Sequence, residues 1–295
     1  DITSNIKTEG TWPTSPASRG IFAGGATPSK LDVIEYITIA TTGNGTDFGD
    51  LLAERSQGPA AAGSNTRGVF GGGLGSPATY TKYDYITIAS TGNAAEFGTL
   101  NVTSGYWSGA GNDTRGVFAG GYHAPSTFDS IEYITFAALG NGTDFGNLTA
   151  ARYEIGATSN ATRGLFLGGT GYSNVIDFIE FASIANAVDF GDLSSSRSGV
   201  AGASSHTRGI MGGGIEPSRT NVIDTVTIAS IGNATDFGDL TATAGKTATC
   251  SSSLRGVFGG GTTPTTVNTI QYVTIATSGN ATDFGDLTAA KDSLG

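Results

Sequence analysis

The chain has 295 residues, 47 of them glycine, and a formal net charge of −10. With 15 Lys+Arg against 25 Asp+Glu, it lacks the basic patch that a nucleic-acid partner requires. Its one cysteine, Cys250, excludes an intrachain disulfide and cannot anchor a metal cluster.

Residues 1–18 are polar, contain Pro13 and Pro16, and read as a lead-in segment. The start, Asp1-Ile2-Thr3-Ser4-Asn5, is not a signal peptide and suggests a processed end or a fragment boundary. No apolar run of about 18 residues follows, so membrane insertion is not expected.

From Arg19 onward one pattern recurs. Arg-Gly-(apolar)₂-x-Gly-Gly begins at Arg19, Arg67, Arg115, Arg163, Arg208 and Arg255, 45 to 48 residues apart. A fixed period of this size marks one supersecondary unit used repeatedly. Each unit opens with a short apolar strand ending in a Gly-Gly turn. A linker of uneven composition follows. Next comes a strand rich in β-branched and aromatic residues, as in Ile34–Ala40, Tyr83–Ala89 and Ile131–Ala137. A Gly-Asn turn (Ala185-Asn186 in the fourth copy) leads into a third strand of the type Asp47-Phe48-Gly49-Asp50-Leu51. A run of small residues then returns to the next arginine.

Four short strands repeated six times, with no helical period, predict an all-β fold: a six-bladed β-propeller occupying residues 19–295. The small-residue strand should be innermost, because blades converge at the axis and bulky side chains do not fit there. Phe and Leu of the third strand should fill the wedge between blades. Trp107 aligns with Ile155 and Val200 and should pack near the axis. The C-terminal Thr288–Gly295 matches the start of an innermost strand, so it should complete the blade begun at Arg19 and close the ring. Closure removes exposed sheet edges.

The units resemble the kelch repeat. The resemblance rests on the Gly-Gly doublet after an apolar strand, the Ile-Glu-Tyr strand, and Arg197-Ser198-Gly199-Val200-Ala201-Gly202. It implies four antiparallel strands per blade. The outer-strand tryptophan usual in kelch repeats is replaced by Phe48, Phe97, Phe145, Phe190, Phe237 and Phe284. The near-verbatim Gly-Asn-Ala-Thr-Asp-Phe-Gly-Asp-Leu copies are also similar to repeats in virion structural proteins of marine tailed phages.

Two sets of residues stand out. The arginines Arg19, Arg67, Arg115, Arg163, Arg208 and Arg255 and the acids Asp47, Glu96, Asp144, Asp189, Asp236 and Asp283 fall at the same end of the blades, so they are expected to form structural ion pairs and turn hydrogen bonds. The linkers after Gly-Gly differ in every copy and share a face with the inter-blade connections, making Tyr80, Tyr122, His123, Tyr172 and Arg219 candidates for contact with a ligand. Loop drift on a rigid scaffold explains the variation equally well.

Other signals have simpler explanations. The Asn/Asp-rich turns could suggest calcium, but a calcium site needs six to eight converging oxygens, and simple alternation would put Asp47 and Asp50 on opposite faces. Turn chemistry explains them better, as it does the sequons at Asn44, Asn141, Asn233 and Asn280. His123 and His206 lie at different steps of different units, and no nucleophile–base set can be nominated. The expectation is therefore a non-catalytic module without cofactor or metal, virion-borne or extracellular. It would meet a cell-surface glycan or protein receptor, with other virion proteins as further partners. A secreted or cell-surface bacterial adhesion propeller and a carbohydrate-acting enzyme are the alternatives.

Overall fold

The computed structural model describes residues 19–57, 59–75 and 79–295. The lead-in 1–18 and the middle of the Leu74–Tyr80 linker lie outside these. The described residues contain strands and no helix. They form six antiparallel sheets arranged as the blades of a six-bladed propeller. In the third blade the order from the axis outward is Ser108–Gly111, Arg115–Ala119, Ser130–Thr135, Thr143–Asn147. The innermost strands are the small-residue runs, as expected.

Close packing at the axis explains their composition. A Cβ placed on Gly109 would lie 2.3 Å from the Ala61 carbonyl oxygen of the neighbouring inner strand. Further out, the wedge between blades fills with larger side chains. Phe145 and Leu148 of the third blade pack with Phe166, Ile179 and Phe181 of the fourth in one buried cluster. Each such side chain contributes about 1.5–3 kcal/mol on burial. Trp107 is buried against Tyr83 and Phe118, and its indole N–H donates to the Gly71 carbonyl at 3.0 Å.

The Asp-Phe-Gly-Asp strands carry a β-bulge. Glu35 is opposite Asp47 and Ile34 is opposite Gly49, which leaves Phe48 as the extra residue. Plain alternation therefore fails between Asp47 and Asp50: these acids face Glu35 and Val33, two residues apart on the partner strand. The bulge seats the phenylalanine edge-on against the aromatic ring of the strand that precedes it in the chain, as in Tyr36–Phe48 (6.0 Å) and Tyr133–Phe145 (5.9 Å).

The Gly-Asn turns bind each blade to its predecessor. Gly92 N–H donates to the Phe48 carbonyl at 2.7 Å, and the Asn93 side-chain oxygen accepts the Asp50 N–H at 3.1 Å. The same pair of bonds recurs at Gly140/Asn141, Gly232/Asn233 and Gly279/Asn280. This contact also explains the glycine of Asp-Phe-Gly-Asp. Gly49 has φ +145°, and a Cβ there would lie 2.5 Å from the Gly92 backbone.

The last blade joins the first by the same device. Gly43 N–H donates to Phe284, and the Asn44 side chain accepts from Asp286. Gly295 and Ala23 exchange both backbone hydrogen bonds at 2.9 Å, so the C-terminal segment enters the blade begun at Arg19 at its innermost position.

Candidate functional site

The repeated charges were expected to pair with one another, and here the structure corrects the sequence. The six arginines instead donate to main-chain carbonyls just past the end of the next blade's strand of β-branched and aromatic residues. Arg19 reaches Ile88, Arg67 and Arg115 reach Phe136 and Phe181, Arg163 reaches Ile228 and Ala229, Arg208 reaches Ile275 and Ala276, and Arg255 reaches Ile39. Five of the guanidinium groups also lie 4.4–5.1 Å over an aromatic ring of their own blade, for example Arg115 over Tyr133. Among the described residues the sole ion pair of a repeat arginine is Arg163–Glu180, at 3.4 Å. Of the expected acids, Glu96 pairs with Lys82, while Asp47, Asp144, Asp189, Asp236 and Asp283 are exposed. A planar guanidinium satisfies a carbonyl and a ring face at once, and this fixed geometry outweighs a solvated carboxylate nearby.

A second charge ladder was missed in the sequence. Four residues after the Leu that follows each bulge stand Arg55, Ser104, Arg152, Arg197, Ala244 and Lys291. The corresponding positions of the next blade are Asp84, Glu132, Asp177, Asp224, Gln271 and Glu35. Arg55–Asp84 (2.8 Å), Arg152–Asp177 (2.5 Å), Arg197–Asp224 (2.5 Å) and Lys291–Glu35 are ion pairs of almost wholly buried side chains. Burial pulls Arg55 and Arg197 below and Asp84 above their ordinary values, with the opposite charge acting against the shift. Size is matched as well as charge: the long Arg meets the short Asp, the shorter Lys meets Glu, and the uncharged Ala244 corresponds in position to the neutral Gln271. Where Ser104 offers no cation, the Tyr83 hydroxyl donates to Glu132, and the N–H groups of Asn101 and Val102 complete its shell. Tyr80 belongs to this ladder. Its hydroxyl donates to Asp84 at 2.8 Å and its ring lies 4.3 Å from the Arg55 guanidinium carbon.

The remaining ligand-face candidates lie around one mouth of the axial channel. The variable loops meet the inter-blade connections there through the bridges Gly105–Tyr122, Ser198–Ile215 and Gly245–Thr262. The tilted rings of Tyr122 and Tyr153 pack with centroids 5.1 Å apart, and those of Tyr153 and Tyr106 with centroids 5.6 Å apart. His123 and Tyr172 are exposed on their loops. Arg219 donates through Nε to Thr262 at 2.8 Å, which ties two neighbouring loops together.

At the centre is a collar that the sequence did not reveal. Gln57, Tyr106, Glu154, Gly199, Lys246 and Ser293 occupy one repeat position, and all have φ between 53° and 61°. Successive members are linked by backbone hydrogen bonds: Tyr106 N–H to Gln57, Glu154 to Tyr106, Gly199 to Glu154, Lys246 to Gly199 and Ser293 to Lys246. The six residues ring a cavity of about 200 Å³. Five non-glycine residues in the left-handed region each carry a cost of about 1–3 kcal/mol. The signal that would have found them is the alignment position two residues after the buried Arg/Lys.

Among the described residues no cluster of three or more His, Cys, Asp or Glu could hold a metal ion. Cys250 is half-buried on the channel wall, and desolvation pushes its thiol up to about 12. No family model matches the chain, and no curated protein matches it.

Proposed function

We propose that this propeller is a non-catalytic binding module of a virion fibre or appendage, presenting one face to a receptor on a bacterial surface. One observation supports the reading. The strand and turn motifs that build the ring are repeated almost unchanged, whereas the loops and collar around one mouth differ in every copy. Gln57, Tyr106, Glu154, Gly199, Lys246 and Ser293 share a backbone conformation but no side-chain chemistry. A frame held constant beneath a varied rim suits recognition, because loops on a rigid scaffold can change without disturbing the fold. The virion setting rests on the likeness of the near-identical copies to phage structural repeats, and the fold alone does not imply it.

The test is binding of the fluorescently labelled intact ring to bacterial cells and to a glycan array. Saturable binding, with the chain also detected in purified phage particles, is expected. Absence of binding to every cell and glycan would overturn the receptor role. Saturable binding by a protein found on the bacterium itself would replace the virion setting with that of an adhesin.

A further inference from the structure

The collar offers more than a varied rim. Its cavity is lined by Gln57, Tyr106, Glu154, Lys246 and Thr247. Two of these present buried polar atoms with no hydrogen-bond partner in the protein, the Gln57 amide oxygen and the Thr247 hydroxyl. Buried polar atoms are almost always paired, and rotation of either side chain into the cavity would give its orphan atom a polar guest as partner. The volume sets the guest's size. Sites for drug-sized ligands measure about 300–1,000 Å³, so a cavity of about 200 Å³ takes something smaller.

Charge and shape narrow the choice. Glu154 and Lys246 flank Gly199 in the collar, and their charges cancel, which favours a neutral guest over an ion. Between them the groups offer both donors and acceptors: a carboxylate, an ammonium, an amide and a hydroxyl. The Tyr106–Tyr153–Tyr122 cluster of tilted rings supplies an aromatic surface at the edge. Burial raises the Tyr106 hydroxyl above its ordinary value, with Glu154 and the other two tyrosines adding to the shift, so it remains a donor. A ring with an apolar face and a perimeter of hydroxyls matches this set.

Building on the receptor-binding reading, we propose that the axial mouth binds one neutral sugar residue, a hexose or N-acetylhexosamine. Its ring lies against Tyr106, and its hydroxyls are bonded by Gln57, Glu154, Lys246 and Thr247. The wider rim of loops is then free to contact the next residue of a chain.

Gly199 gives an unusual handle on this site. A Cβ there would meet only Lys246, at 3.6 Å or more. The five sister positions already carry side chains at the same φ. Gly199→Tyr should therefore fold and fill the mouth.

The experiment titrates the intact ring with glucose, galactose, mannose and N-acetylglucosamine by saturation-transfer NMR and calorimetry, alongside a neutral-glycan array. At least one sugar should bind the parent. Tyr106→Ala, Glu154→Gln and Gly199→Tyr should each weaken binding tenfold or more, while Ile231→Ala, at an exposed position in the Gly232-Asn233 turn at the other end of the blades, should leave it within twofold. Urea midpoints and circular dichroism confirm that each variant is folded. Sugar binding that survives all three collar variants would overturn the axial site. Binding to bacterial cells with no response to any neutral sugar would overturn the sugar but leave the receptor role intact. Loss of both would remove the receptor role too.

Discussion

The buried ladder makes a quantitative prediction at Arg197 and Asp224, whose side chains are fully buried and 2.5 Å apart. Arg197 also donates to the Val222 carbonyl, and Asp224 accepts the Ser194 N–H. Arg197→Ala leaves a buried carboxylate with no cation and should cost about 3–5 kcal/mol. Asp224→Gln leaves the guanidinium uncompensated and should cost a similar amount. The double variant reproduces what the chain already holds at Ala244 and Gln271, where the Gln271 amide oxygen accepts from Thr241 N–H at 2.7 Å. The added methylene of Gln fills part of the space left by Arg, so the residual cavity should cost about 1–2 kcal/mol. The three variants form a double-mutant cycle, read by urea unfolding with far-UV dichroism and fluorescence. Sites without coupling add to within about 0.5 kcal/mol, so a double variant far more stable than the sum of the singles identifies a matched pair. Simple addition would refute the claim that charge and reach are compensated at this step.

Four further outcomes follow from the same geometry. Glu132 has no cation, and burial raises its carboxyl, with the Tyr83 hydroxyl and the Val102 and Asn101 N–H groups opposing the shift. Its folded value lies above its unfolded one, so its contribution is fully favourable below about pH 4.3 and is lost as pH rises through the folded value. Glu132→Gln should therefore gain stability relative to the parent as pH rises from 4 to 8 in thermal melts, and a constant difference would count against it. Gly49→Ala drives a methyl into the Gly92 backbone and should destabilise by about 1–3 kcal/mol in the same urea assay. Asn93→Ala removes one side-chain bond from an exposed turn and should cost about 0.5–1.5 kcal/mol, well below Gly49→Ala if backbone proximity dominates that latch. Tyr133→Thr copies the natural Thr225, which leaves Arg208 without a ring; a loss of about 0.5–2 kcal/mol is expected, and no measurable change would reduce the arginine stack to a packing coincidence.

Repetition made the frame legible. One copy of Arg-Gly-(apolar)-Phe-x-Gly-Gly is a weak sign of a strand and turn, but six in register give strand number, order and closure, because each unit must bury its faces against the next. The same repetition misled on the arginines. Six bases and six acids at one end of the blades invite pairing, and composition carries no information about backbone carbonyls, which every residue possesses. The ladder was hidden for the opposite reason. Its positions read Arg, Ser, Arg, Arg, Ala, Lys on one side and Asp, Glu, Asp, Asp, Gln, Glu on the other, so neither column looks conserved within the chain. The regularity lies in the pair across the blade boundary, where Ala244 and Gln271 are uncharged together and where Tyr83 stands in for the cation absent at Ser104. The collar was less legible still. Its side chains share nothing, and what unites Gln57, Tyr106, Glu154, Lys246 and Ser293 is a left-handed backbone that residue type would have assigned to Gly199 alone. Where a frame this regular holds five strained residues in one ring, their varied side chains are the part of the molecule that stability does not explain, and that is why the search for a ligand starts there.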